Sequence, residues 1–159
     1  MNSKKSIRWQ PLLLFFALSL LAWLVAAYFS RTAGTLYRTL IQPPFAPPGW
    51  SFPVVWPILY ILLAISAYLV FVSDSKYRKS ALILYGVQLF MNAIWPLWFF
   101  RLQLYFVAVV WIASLWFVIE GMIFLFFLCR RSAGFLQIPY FLWGSLAGYL
   151  TLGVWLLNR

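Results

Sequence analysis

The stretch Gln42-Pro-Pro-Phe-Ala-Pro-Pro-Gly-Trp-Ser-Phe-Pro-Val-Val-Trp-Pro-Ile-Leu-Tyr60 decides how this chain folds. It packs six prolines, two tryptophans and a tyrosine into nineteen residues, with strongly apolar sequence on either side. Proline fixes φ and pushes the residue before it toward extended geometry, so Pro43-Pro44 and Pro47-Pro48 exclude a helix interior. The same stiffness limits how far the loop collapses or flaps. At Pro53, or the residue after it, a helix begins, because the first helical turn has backbone donors without intrahelical acceptors and tolerates proline. Pro57 falls at the edge of that allowance and predicts a late start or a slight bend. The stretch reads as a rigid loop running into a helix at a membrane surface. Its aromatic residues, Phe45 and Trp50 in the loop and Trp56 and Tyr60 in the helix, are candidates for the lid and rim of a binding site.

Working outward, the 159 residues are 65% hydrophobic, 22% aromatic and 9% charged. Soluble domains carry about 25% charged residues, so the composition is that of a membrane protein. The net charge of +10 comes from basic residues placed between apolar runs, the pattern of loops facing a cytoplasm and anionic lipid. No span-free basic module is left to bind nucleic acid. Histidine is absent and Cys129 is the only cysteine. A disulfide framework, a Cys/His metal site, histidine ligation of haem and Ser-His or Cys-His catalysis are thereby excluded within one chain. No metal is expected and no cofactor is required; a ligand must be held by shape, aromatic faces and a few polar side chains.

Each span needs about 20 apolar residues, and five fit: about 12–29, 53–72, 81–100, 104–128 and 135–157. The first resembles a signal peptide in its basic start and in Ala26 and Ala27, yet it is longer than the usual apolar region of one and is read as a spanning helix. Thr35 to Leu40 predicts a short turn of helix before the prolines. The fold class is an all-α membrane protein, a single-domain five-helix bundle with a long proline-rich first loop. Loops on the side of the N-terminus (Lys4, Lys5, Arg8, Lys76, Arg78, Lys79, Arg130 and Arg131) carry eight Lys/Arg against four on the other side. The positive-inside rule then places the N-terminus in the cytoplasm and the proline lid outside.

Polar residues inside the spans are few. Asn92 needs a helix partner, a water or a ligand, because a buried amide in hydrocarbon is costly unless paired. Gln88 lies one turn before it, and Trp95 and Phe99 share its face. Pro96 removes the helical donor to the Asn92 carbonyl and predicts a kink there. Ordinary interhelical hydrogen bonding accounts for Asn92 equally well. In the fifth span Trp143 stands one turn after Tyr140; for it and Trp56, interfacial belt residues are the competing explanation. Glu120, the one acid within a span, requires a proton, a partner or a place nearer the interface. Gly144-Ser-Leu-Ala-Gly148, with Ala147, offers a flat face for a neighbouring helix, a second subunit or a flat ligand beside Trp143.

Three motifs in register resemble one family. Pro43 to Tyr60 resembles the signature of the translocator protein family, TspO/MBR, also called tryptophan-rich sensory proteins. Gln88-Leu-Phe-Met-Asn-Ala-Ile-Trp-Pro96, with Phe99-Phe100, is similar to its third-helix motif. Ile138-Pro-Tyr-Phe-Leu-Trp143, with Ala147 and Asn158, is similar to its fifth. The resemblance implies a five-helix bundle, usually a homodimer, in a bacterial cell membrane, with lipid around it and a pocket beneath the first loop. It implies a porphyrin such as protoporphyrin IX, or another hydrophobic small molecule, as ligand, with Trp56, Asn92 and Trp143 as pocket residues. Light- and oxygen-dependent porphyrin degradation, associated in some bacterial members with the two tryptophans, is a further implication, and transport of porphyrin- or sterol-like molecules a third. Phe45, Trp111 and Thr151 depart from residues frequent in the family, which expects Trp, an acid and Asn there. From these residues, binding or sensing of a tetrapyrrole is the expected function, with photo-oxidation in place of any acid–base site if there is catalysis.

Overall fold

The computed structural model describes residues 7–159; Lys4 and Lys5, two of the basic residues counted at the N-terminus, lie outside them. The chain forms α1 (Trp9–Phe29), α2 (Ala33–Thr39), α3 (Ser51–Phe71), α4 (Arg78–Pro96), a π-helical continuation of α4 (Leu97–Arg101), α5 (Tyr105–Cys129), α6 (Arg131–Phe135) and α7 (Ile138–Leu157). Five helical segments are long and apolar enough to cross a membrane, and the short α2 falls where the sequence predicts a turn of helix.

The boundaries differ from the sequence reading in instructive ways. α3 starts early, at Ser51, where the backbone N–H and the hydroxyl of Ser51 both donate to the Pro48 carbonyl. Pro53 then sits in the first turn, and Pro57 is carried inside the helix. After Pro96 the fourth helix does not end but widens. Leu102 N–H reaches back five residues to the Leu97 carbonyl at 2.9 Å, the bonding pattern of a π-helix. The last span is likewise broken: α6 ends in a turn at Gln137, and α7 begins at Ile138 with Pro139 in its first turn, where it costs nothing.

Around the bundle the helices form an incomplete ring. α1 packs on α3 and α4, α4 on α5, and α5 on α7, while α3 and α7 make almost no direct backbone contact. Buried polar pairs pin this ring. Tyr85 donates to the Phe15 carbonyl and lies 2.9 Å from the Ser19 hydroxyl, joining α4 to α1. The Trp111 indole donates to the Met91 carbonyl at 2.8 Å, joining α5 to α4; the position where the family expects an acid thus carries a helix clamp. At one end α6 closes the gap between α3 and α5, with Ser66 donating to the Ala133 carbonyl at 2.7 Å and Gln137 to that of Leu62.

At the other end the gap is covered by the proline loop. Asn158 of α7 grips Ile41 at both backbone groups, accepting from its N–H and donating to its carbonyl at 3.0 Å. Tyr149 donates to the Pro44 carbonyl at 2.8 Å, and Pro43 is buried against Gly153, where an added Cβ would come within 2.6 Å of the proline ring. On the α3 side, Tyr37 donates to the Pro47 carbonyl at 2.6 Å and its ring meets Phe52 edge-on. Phe45 has φ 61°, and Ala46 N–H closes back to the Pro43 carbonyl. A φ > 0 at the third position of a turn with proline at the second is the pattern that usually takes glycine or asparagine, so an aromatic residue there is strained.

Two outcomes check the lid. Gly153→Ala pushes Pro43 off α7 and lowers unfolding free energy by about 1–3 kcal/mol, read as a lower melting temperature in detergent. Gly148→Ala, with nothing within 4 Å of the new methyl, does not lower it. Burial raises the Tyr37 pKa above its ordinary 10. Its contribution to stability is therefore complete below pH 10 and lost as pH rises through the raised value. Tyr37→Phe abolishes that alkaline loss in a pH-resolved melting series.

Candidate functional site

Near the middle of the bundle, one polar network crosses three helices. The Asn92 side-chain amide donates to the Tyr140 hydroxyl at 2.6 Å, which donates in turn to Gln88 Oε1 at 2.8 Å. Tyr60 donates to Asn92 Oδ1 at 3.3 Å. Gln88 and Asn92 lie one helical turn apart on α4, so both amides face the seam between α3 and α7. All four residues are buried. Left unpaired, each such group would cost about 1–3 kcal/mol; linked, they tie α3 and α7, whose backbones scarcely meet, to a common strut.

Against this network lies a cavity of about 20 Å³, room for roughly one water molecule. Trp56 of α3, Asn92 and Trp95 of α4, and Tyr140, Gly144 and Ala147 of α7 supply three of its walls. The fourth is α5, with Ile112, Leu115, Trp116 and Ile119 on one helical face. Trp116 is fixed by its indole N–H, which donates to Ser145 Oγ at 2.8 Å, while Ser145 donates to the Phe141 carbonyl. Gly144 stands 3.6 Å, measured from an ideal Cβ, from the Ile119 side chain, an ordinary contact distance. The glycine motif thus packs inside the bundle at Gly144, and Gly148 faces open space.

Of the residues singled out by sequence, Trp56, Asn92, Trp95, Tyr140 and Ala147 line this cavity, and Gln88 and Tyr60 stand behind it in the network. Trp143 does not line it. Its ring packs edge-on to Phe52 at 5.7 Å, on the α3–α7 seam just under the lid. Phe45 and Trp50 lie on the lid's outer surface, 93% and 69% exposed, away from the cavity. Thr151 is satisfied within its own helix by the Ala147 carbonyl. Glu120 is on the outward face of α5, with exposed Phe117 and Phe124 one turn to either side. It lies about 14 Å along the helix from Cys129 and takes no part in the site. Gly144, read from the sequence as space for a helix or a flat ligand, is a wall residue, whereas Trp116 and its α5 neighbours Ile112, Leu115 and Ile119 are not picked out by the sequence reading.

Chemically the cavity is a slot between indoles with one unpaired donor, Trp95 Nε1, in its wall and two more nearby. Trp95 Nε1 and Gln88 Nε2 are buried without acceptors, as is Trp143 Nε1 on the seam. Three N–H groups in so apolar a setting favour a guest that brings acceptor atoms. There is no nucleophile–base pair in the walls.

Removing the hub tests the network. Tyr140→Phe strips a partner from both Asn92 and Gln88 and lowers unfolding free energy by about 1–2 kcal/mol, measured by thermal unfolding in detergent; Tyr60→Phe, at the end of the chain of bonds, costs less.

The comparisons with known proteins agree with this architecture. The sequence profile of the TspO/MBR family matches residues 13–156. Protein CrtK of Rhodobacter capsulatus is 33% identical over 127 residues, 79% of each chain. The tryptophan-rich protein TspO of Chlorobaculum tepidum is 33% identical over 80% of this chain and 82% of its own. The translocator protein of Bos taurus is 27% identical over 95% and 92%. With the profile spanning all five helices and relatives at this identity over four-fifths of their length, the chain is an integral membrane protein of the TspO/MBR family.

Proposed function

We propose that the protein binds a hydrophobic tetrapyrrole, a porphyrin such as protoporphyrin IX, in the slot between Trp56, Trp95 and Trp116, and serves as a sensor or carrier of it. The observation that carries this reading is the conjunction of three indole faces with the unpaired Trp95 N–H at one cavity. A flat aromatic macrocycle stacks on indoles, and its acceptor atoms meet the free donors. Ligand pockets run to about 300–1,000 Å³, so the slot must widen to accept such a guest. The seam between α3 and α7, held by the Phe52–Trp143 contact and the lid, is where the bundle has least packing to break. Trp143 on this reading is a gate residue. The proposal places the N-terminus in the cytoplasm and the lid outside, by the charge count, and takes the protein to be a homodimer.

Three indoles around one bound sensitiser also support a second reading, light- and oxygen-dependent porphyrin degradation with indoles as electron donors. Illumination with and without oxygen separates the two: bleaching of bound porphyrin no faster than free porphyrin, to the same products, leaves binding alone.

Protoporphyrin IX is expected to quench intrinsic tryptophan fluorescence saturably in the dark. Gly144→Leu, which fills the slot, and the double variant Trp56→Phe with Asn92→Ala each weaken the apparent affinity at least about tenfold, on the scale of one to two lost contacts. Phe45→Gly, on the outer surface, leaves it unchanged. Equal affinity in the Gly144→Leu protein would sink the assignment.

A further inference from the structure

A second concavity lies on the lid side of the bundle, outside the slot. α2 presents Thr32, Thr35, Leu36 and Thr39 across a cleft to Phe100, Arg101 and Gln103 at the end of the fourth helix. The spacing of three, four and seven residues puts those four side chains on one helical face. The cleft, about 370 Å³, runs into a neighbouring one of about 300 Å³ that shares Thr32 and Arg101 and adds Tyr28, Phe29 and Arg31. Two guanidinium groups therefore border one open space.

Neither arginine is spent on a carboxylate. Arg31 stacks on the Tyr28 ring at 3.9 Å and donates from Nε to the Tyr28 carbonyl at 3.1 Å. That uses one of five N–H donors, and the contact fixes where the rest are held. Arg101 has no side-chain partner among the described residues. The chain's two acidic side chains are elsewhere. Asp74 belongs to the α3–α4 connection at the opposite end of the bundle, and Glu120 lies about 22 Å down α5 from Tyr105. Arginines at helix ends offset the partial charge of the last carbonyls, but that role does not account for the cleft; Thr35 and Thr39 donate to the Thr32 and Leu36 carbonyls of their own helix, which leaves Thr32 as the hydroxyl facing it. No acidic side chain among the described residues reaches the cleft, so an anion held there comes from outside it.

We propose that this cleft binds the phosphate of an anionic phospholipid, with Arg31 and Arg101 as the cationic walls and Thr32 and Gln103 as hydrogen-bonding groups. The arginines follow or close the last turns of two spanning segments, which sets the cleft at the height where helices leave hydrocarbon and headgroups begin. Its lower walls, Tyr28, Phe29 and Phe100, continue onto exposed Leu24 and Leu21 of α1, a surface suited to acyl chains. Guanidinium groups hold a phosphate in paired bonds, and the apolar continuation favours the lipid over free phosphate, which shares the same oxyanion chemistry.

The test titrates the purified full chain in neutral detergent with dioleoylphosphatidylglycerol, dioleoylphosphatidylcholine and inorganic phosphate, scoring bound lipid by native mass spectrometry and stability by melting temperature. Saturable retention of phosphatidylglycerol over phosphatidylcholine is expected, with the midpoint moved about fivefold by Arg31→Gln or Arg101→Gln and about 25-fold by both, on the scale of one arginine near a charged surface. Melting in detergent alone stays unchanged, and Arg101→Lys recovers part of the retention. Displacement of the lipid by an equal concentration of inorganic phosphate would assign the cleft to a soluble anion and overturn the lipid. An unaltered phosphatidylglycerol midpoint in the double variant overturns the site itself. Porphyrin enters none of these readouts, so the outcome is independent of what occupies the slot.

Discussion

A buried amide in hydrocarbon has nowhere to go but to another protein group, and here Asn92 goes to two phenols. Its side chain accepts from Tyr60 on α3 and donates to Tyr140 on α7, and Tyr140 donates in turn to Gln88 one turn back on α4. Between helices in lipid there is no hydrophobic drive to associate beyond what lipid itself supplies, so packing and polar pairing decide the arrangement. That makes the network the constraint on which the rest depends. It holds α3 and α7 at a fixed distance across a seam where their backbones scarcely meet, and the slot exists because they are held apart rather than pressed together.

The lid follows from the same gap. It is clamped mainly to α7 and its C-cap, by Asn158 on the Ile41 backbone, Tyr149 on the Pro44 carbonyl and Gly153 against the Pro43 ring, and it runs without a break into α3. It is less a flap over a pocket than a strap joining the two edges of an incomplete ring, with α6 doing the corresponding job at the other end. The cost of this rigidity shows at Phe45, where the turn demands a backbone conformation that a side chain resists.

Much of this could be read from the residues. Five apolar runs separated by short basic loops give five spans because hydrocarbon thickness allows little else, and Pro43–Pro48 could only be loop. Asn92 with Gln88 was legible as a polar cluster because so few polar residues occur inside the spans. What escaped has identifiable causes. α5 is apolar nearly all round, Ser114 and Glu120 aside, so periodicity hardly distinguishes the wall residues Ile112, Leu115, Trp116 and Ile119 from those meeting lipid. The π-helical stretch after Pro96 was not legible, since proline deletes a donor without specifying how the chain recovers. Trp143 and Trp116 are alike as sequence, two tryptophans in apolar helices. Only the partners, Phe52 for one and Ser145 for the other, separate the seam from the slot.

The open seam has a consequence for how occupancy is set. On the proposed reading, a guest entering between α3 and α7 comes sideways from the acyl chains, because both ends of that gap are strapped. For a sparingly soluble molecule the relevant reservoir is then its mole fraction in the bilayer, not its concentration in water. An affinity expressed in molar units would shift with the ratio of lipid to protein even though no contact in the slot had changed, and the protein would respond to loading of its membrane.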